Sequence, residues 1–315
     1  MNQIHKMDTA LLLKAAIILI IIPMLSNCTA VPAQPAAIPT GTTVTIPTST
    51  TEPTAAVVPV GSPTLEYVSP DPAVLGITYI CNAGFAISIG GKKILVDVLY
   101  QRNIHLCRSD LPELMENNLP PFDNVDLVLV THNHPDHFNA QIVGQFLLNN
   151  PRAVLVAEKS AADMLLNNTA TYGSLKDRIH SIKLDGEESA DLSIDGIDLE
   201  VINAQGEVPN LGFLIKVGGK TLLHLGDNDF TLQTKTILRS YQLSTQDVDI
   251  AFISYNYLIT PTYRDVMLDI VGAKTYVPMH YAEENGSEDV MNSIRIVTPE
   301  DFLFEQSLQT WTVPD

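Results

Sequence analysis

The chain has 315 residues, 45% hydrophobic and 17% charged, with 18 basic against 36 acidic side chains and a net charge of -18. That apolar share excludes a wholly disordered chain, and the length suits one large domain or two small ones. The acid excess speaks against nucleic acid as a partner, because phosphate binding relies on neutralisation by Lys and Arg.

The charge is unevenly placed. Residues 1–27 carry Lys6, Asp8 and Lys14, and residues 28–63 carry only Glu52. The remaining 16 basic and 34 acidic residues fall in 64–315, which therefore holds the whole net charge of -18. Residues 1–27 read as an export signal. Lys6 and Lys14 precede an 11-residue apolar run from Ala15 to Leu25, shorter than the ~20 residues a membrane-spanning helix needs. Leu25-Ser26-Asn27-Cys28 resembles a bacterial lipobox, whose Cys becomes the lipidated N-terminus; Asn27 departs from the small residue usual there. The competing reading is a plain signal peptide or an uncleaved anchor with an incidental Cys28. Residues 29–63 contain seven Pro and nine Thr and no Lys or Arg. Such a segment behaves as an extended spacer. The expectation is an exported protein of the cell envelope, held by a lipid to the outer face of a membrane, with a tether at 28–63 and one folded domain at 64–315.

Within that domain, Ile77–Ile80 and Phe85–Ile89 read as strands, Gly90-Gly91 as a turn, and Lys93–Val98 as a strand that includes Asp97. A helix is predicted over Leu111–Asn118. Val125–Val130 (VDLVLV) is mostly apolar, as expected for a strand covered on both faces. Helices over 139–148 and 160–167 flank a strand at Ala153–Val156. Strands are predicted at Ile179–Leu184, Leu192–Ile194, Leu199–Ile202, Phe213–Val217 and Thr221–Leu225. The chain then reads strand (Ile250–Ser254), helix (Tyr263–Val271), strand (Thr275–Pro278), helix (287–295), strand. This alternation points to sheets with helices packed outside.

The domain also echoes itself. Asn82-Ala-Gly-Phe-Ala-Ile-Ser-Ile-Gly-Gly-Lys92 matches Asn210-Leu-Gly-Phe-Leu-Ile-Lys-Val-Gly-Gly-Lys220 at seven of eleven positions. Both are strand, Gly-Gly turn, strand units, and both run on toward an acid, Asp97 and Asp227. They suggest two related halves, against the alternative of chance likeness between common hairpins. Cys81 and Cys107 are left as either one disulfide or two buried thiols.

Chemistry concentrates at Thr131-His132-Asn133-His134-Pro135-Asp136-His137. Four candidate ligands lie within six residues, directly after an apolar strand. Imidazoles and carboxylates suit zinc and similar ions, and a rigid strand end lets them converge. This H-x-H-x-D-H stretch is similar to the signature of the metallo-β-lactamase superfamily. The resemblance extends over about 75–310, through Leu225-Gly226-Asp227 and Val277-Pro278-Met279-His280-Tyr281. It implies an α/β fold, an αββα sandwich of metallo-β-lactamase type made of two related halves.

The resemblance implies His132 and His134 in a first metal site, Asp136, His137 and His280 in a second, and Asp227 bridging them. Asp97 would orient a ligand or water from outside; a plain strand-end turn is its alternative. One departure stands out. The third His expected for the first site, in the loop Asn203–Glu207, is absent. Gln205 is the nearest match and Glu207 a nearby substitute, while His224 falls where relatives carry a non-ligand His. Tyr255, Tyr257 and Tyr281 are candidates to contact substrate, with aromatic packing as the alternative. The implied cofactor is zinc, one or two ions, with manganese or iron as alternatives. The implied function is a metallo-hydrolase in which a metal-bound hydroxide attacks an ester, lactone or phosphoester, oriented by Asp136 and Asp227. The missing His keeps open a binding module without turnover. The expected partner is a small-molecule substrate.

Overall fold

Alternation of buried side chains builds the sheets. The computed structural model describes residues 67–101, 107–167, 172–281, 288–298 and 302–314; the expected leader (1–27), Cys28 and the tether (28–63) lie outside the described residues. Residues Gly61–Asp315 form one unit. The first sheet comprises β1 (Gly76–Cys81), β2 (Gly84–Ile89), β3 (Lys92–Val96), β4 (Leu127–Val130), β5 (Val154–Glu158) and β6 (Ile179–Ile182), with β13 (Thr310–Thr312) beside β1. The second comprises β7 (Ser189–Ile194), β8 (Ile197–Asn203), β9 (Leu211–Val217), β10 (Lys220–His224), β11 (Ile250–Ser254) and β12 (Thr275–Met279), in order β12-β11-β10-β9-β8-β7.

The two sheets follow one plan. Each has an antiparallel hairpin closed by a Gly-Gly turn: β2–β3 at Gly90-Gly91 and β9–β10 at Gly218-Gly219. All four glycines sit at positive φ, between 57° and 76°, where a Cβ would be strained. Parallel neighbours follow each hairpin, β3–β4–β5 in one sheet and β10–β11–β12 in the other. The two-halved organisation read from the echo is thus present in the topology.

Period-two alternation then makes the layers. In the first sheet Ile94, Val96, Leu127 and Leu129 face Phe213, Ile215, Leu222 and Phe252 of the second, and all are buried in one cluster between the sheets. Phe85 and Phe252 close that interface with ring centroids 4.4 Å apart. The alternate residues Leu95, Val128 and Val130 pack outward on Val143, Phe146 and Leu147 of the helix Ala140–Asn149. On the opposite side Leu214, Leu223 and Ile253 pack on Ile237, Leu238, Met267 and Ile270. Strands buried on both faces read as near-continuous apolar runs, which is why VDLVLV stood out.

Two helices were not expected. Leu232–Ser240 starts at Thr231, whose side chain accepts a hydrogen bond from the Thr234 amide. Its Leu232 is exposed while Thr234 is buried, so its apolar periodicity is weak. Tyr255–Ile259 is a five-residue helix folded directly off β11, too short to show a period. Cys81 and Cys107 form a disulfide, with Cα atoms 5.3 Å apart. Among the described residues, no helix is long and apolar enough to cross a membrane.

Candidate metal centre

The turn after β4 brings His132, His134, Asp136 and His137 to one end of the inter-sheet seam. The Leu225–Asp227 turn after β10 and His280 after β12 meet them from the second half. Two donor groups result, each with one ligand atom per residue within 4.8 Å of the others: Asp136, His137, Asp227 and His280, and His132, His134 and Asp227. Asp227 belongs to both. They lie in a cavity of about 430 Å³ whose walls include Glu207, Asp229, Ser254 and Tyr257.

The surroundings fix the imidazole protons. Asp97, 1% exposed, stands at φ 50° just past β3. Its Oδ1 accepts from the Thr131 amide (2.9 Å), and its Oδ2 accepts from the Thr131 hydroxyl (2.6 Å) and from His137 Nδ1 (2.9 Å). Because the Thr131 proton goes to Asp97, its oxygen is left to accept from His132 Nδ1 at 2.9 Å. One carboxylate thereby puts the Nδ1 proton on both His132 and His137 and leaves both Nε2 lone pairs facing the cavity. Those Nε2 atoms, with His280 Nε2 and Asp227 Oδ1, are buried without a hydrogen-bond partner. Unpaired buried donors and acceptors are costly. Imidazole nitrogens and a carboxylate oxygen left open together are the donor set of a divalent cation site, so the residues fit a metal.

Electrostatics agree. Burial alone would raise the Asp136 and Asp227 carboxyls, yet His137 and His280 hold both well below the usual carboxylate range. Burial opposes charge on His280, but Asp136 and Asp227 raise it to about 9. His137 is likewise driven up, against burial, by Asp227 and Asp97. His132, buried and beside the positive His137, falls to about 4. Without a cation, the aspartates thus favour a proton on the Nε2 atoms of His137 and His280, and a bound metal would take the place of those protons.

The other expected residues divide. His224 is buried, with Nε2 donating to the Ala83 carbonyl (2.9 Å) and Nδ1 accepting from the Gly226 amide (3.1 Å). Both nitrogens are engaged, so it holds the Gly226–Asp227 turn and ligates nothing. The Gln205 backbone oxygen accepts from the Asp229 amide at 2.8 Å, and its Oε1 is buried without a hydrogen bond. Glu207 lines the cavity but joins neither donor group. Tyr257 also lines it; its hydroxyl donates to the Asn228 carbonyl at 2.5 Å. Burial, with Asp229 and Asp227 nearby, pushes that hydroxyl up to about 12, so its proton is committed to the main chain. Two expectations fail. Tyr281 is fully buried, stacked on Tyr79, and donates to the Phe304 carbonyl. Tyr255 is 6% exposed and belongs to the core between the sheets. Both are packing residues, because the chain turns inward directly after β11 and β12.

Three residues were missed. Thr131 relays Asp97 to His132. Asn82, fully buried, donates from Nδ2 to Asp136 Oδ2 at 2.9 Å. Asn210 accepts the Asp227 amide on Oδ1 (3.2 Å) and donates from Nδ2 to the Leu225 carbonyl (2.9 Å). For the two asparagines a signal was available: each opens one copy of the internal echo.

A family model for the beta-lactamase superfamily domain matches residues 76–280. The chain belongs to that superfamily. A UPF0173 metal-dependent hydrolase of Pelotomaculum thermopropionicum is 27% identical over 218 residues, covering 65% of this chain and 83% of its own. A UPF0173 metal-dependent hydrolase of Alkaliphilus metalliredigens is 22% identical over 246 residues, covering 74% and 93%. Among solved structures, Igni18, a metallo hydrolase from the archaeon Ignicoccus hospitalis, superposes with a TM-score of 0.52 at 16% identity, covering 77% of this chain and 99% of that one. The metallo-beta-lactamase fold protein YhfI of Bacillus subtilis gives 0.50 at 12% identity, covering 75% and 98%. At such identities these structures speak for the fold, an αββα sandwich of metallo-β-lactamase type.

Proposed function

We propose that this chain, a metal-dependent hydrolase of the metallo-β-lactamase superfamily, holds zinc in its two donor groups, with manganese or iron as alternatives, and opens a small ester or lactone. The observation that carries this is the convergence of buried, unpartnered His132, His137 and His280 Nε2 atoms on Asp227. Asp136, His137, Asp227 and His280 would hold one ion; His132, His134 and Asp227 would hold the second. A bound divalent cation supplies Lewis acidity and lowers the pKa of water at neutral pH. Asp136 and Asp227 accept hydrogen bonds from the attacking water and orient it. Tyr257, in the cavity wall, offers an oxygen lone pair to a donor on the substrate. Ester or lactone is preferred to phosphoester because the cavity is lined by Glu207 and Asp229 and, among the described residues, by no Lys or Arg.

A second reading, a binding module with the same fold, is favoured by one observation: the His132, His134 and Asp227 group has three members. Metal per chain, followed by lactone, ester, phosphodiester and β-lactam assays, separates the two. No metal at saturating zinc sinks both the metal centre and the hydrolase. Two ions with no turnover favours the binding module. A Gln205→His variant that gains a second ion identifies that loop as the incomplete side of the first group.

We further propose export, with a lipid at Cys28 tethering the domain to the outer face of a membrane and 28–63 as the spacer. This rests on the leader's residues. Membrane retention that survives Cys28→Ser would refute the lipid.

A further inference from the structure

Asn82 and Asn210 hold the same place in the two copies of the internal echo, and each secures one of the two cavity aspartates. We infer that they are a matched pair of positioning residues: Asn82 sets Asp136 for one metal, and Asn210 sets Asp227 for both. The inference rests on the two-metal reading above.

The geometry distinguishes the pair from ordinary buried amides. Asn82 occupies the left-handed region at φ 52°, where Asn is tolerated better than most residues. Its Nδ2 reaches Asp136 Oδ2 at 2.9 Å, while its carbonyl accepts the His280 amide at 3.2 Å. One residue thus touches two members of the four-residue donor group. Its Oδ1 is buried with no partner. A buried amide kept only for packing would be expected to satisfy both ends, since an orphaned buried acceptor is costly. The bond from Nδ2 occupies one lone pair of Asp136 and restricts its rotation, which is the service outer residues give a ligating carboxylate.

Asn210 works on the backbone instead. It bridges the Leu225 carbonyl and the Asp227 amide, pinning the turn whose Asp is common to both groups. The turn allows no bulk there. A Cβ on Gly226 would lie 2.3 Å from Asn210 Oδ1 and 2.7 Å from Thr131 Cβ. Gly226 also has φ 56°. Asn210, Gly226 and Thr131 thus lock together where the two halves meet.

The pair makes a site-resolved prediction that a generic packing role does not. Titrate the purified chain with zinc against a chromophoric chelator, and melt the metal-free forms in parallel. Asn82→Gly keeps the backbone conformation and removes the amide. It is expected to weaken one of two metals about 10–100-fold and leave the other within about threefold. Asn82→Asp keeps size and backbone and turns the donor into an acceptor. It carries the same expectation and serves if the glycine variant folds poorly. Asn210→Ala is expected to weaken both metals. Asn124→Gly, at an exposed Asn with φ 52°, controls for the glycine and should change neither. If the Asn82 variants weaken both metals alike, or neither, while Asn82→Gly melts like Asn124→Gly, the inference is overturned. If wild type binds no zinc, the two-metal reading has failed instead.

Discussion

Replacing Asp97 by Asn tests whether one carboxylate really sets two imidazoles. The change preserves size, and Asn tolerates the φ of 50° found there. Asp97 accepts three hydrogen bonds, from the Thr131 amide, the Thr131 hydroxyl and His137 Nδ1. An Asn side chain has one acceptor end and one donor end. With its oxygen toward His137, its NH2 opposes the Thr131 N–H, and a buried donor is left unpaired at a cost of about 1–3 kcal/mol. With its NH2 toward His137, that imidazole must move its proton to Nε2, which removes the lone pair a metal needs. In the second case the Thr131 hydroxyl also loses its acceptor, which loosens His132. Either orientation lowers metal affinity about 10–100-fold, equivalent to about 1.4–2.7 kcal/mol. Competition with a chromophoric chelator measures the affinity, and urea unfolding of the metal-free variant measures the separate stability loss. Affinity for every bound metal within threefold of wild type would show that Asp97 does not orient the ligands.

Three further outcomes are expected. Cys107→Ser opens a disulfide with a sequence separation of 26 and should cost about 3–4 kcal/mol, read as a lower urea midpoint that reductant no longer changes; an unaltered midpoint would remove the disulfide from the stability account. Tyr281→Phe should cost about 1 kcal/mol by losing the bond to the Phe304 carbonyl and leave kcat/KM unchanged; a tenfold fall in turnover at equal stability would restore it as a substrate contact. In the metal-free protein, His280 has its affinity for a proton raised from 6.5 to about 9. Its contribution to stability is full below about pH 6.5 and is lost as pH rises through about 9. Zinc competes with that proton for His280, so zinc affinity should climb across the same window. Chelator-treated protein unfolded in urea from pH 6 to 9.5 shows the first trend, and a flat profile contradicts it.

The architecture and the clustering of the candidate donors were legible because both leave patterns of short range. Apolar runs punctuated by Gly-Gly announce strands, and H-x-H-x-D-H packs four donors into one turn. For His224 the resemblance implied a non-ligand, and both of its nitrogens are hydrogen-bonded to the main chain. What was not legible depends on where the chain goes after a strand ends. Tyr255 and Tyr281 stand one residue beyond a strand and one beyond His280, yet both turn into the core. Asn82 and Asn210 were visible as repeated letters, but the repetition does not say that Asn82 meets Asp136, 54 residues away. The helix Leu232–Ser240 is set by its Thr231 cap and by packing against the second sheet, since its own apolar period is faint.

The donors come from both halves of the domain, His132 to His137 from one and Asp227 and His280 from the other. Among the described residues, the hydrogen bonds that cross the seam beside them include His280 amide to Asn82 carbonyl, Leu211 amide to Thr131 carbonyl, and His224 Nε2 to Ala83 carbonyl. A cation seated there is therefore a strut between two sheets as well as a reagent. At free metal a thousandfold above Kd, binding adds about 4 kcal/mol to the folded state, concentrated on the joint that must part for the halves to separate. Loss of metal would leave the core shared by the two sheets in place while slackening this end of the seam, so the chain's resistance to proteolysis should fall when metal is withdrawn.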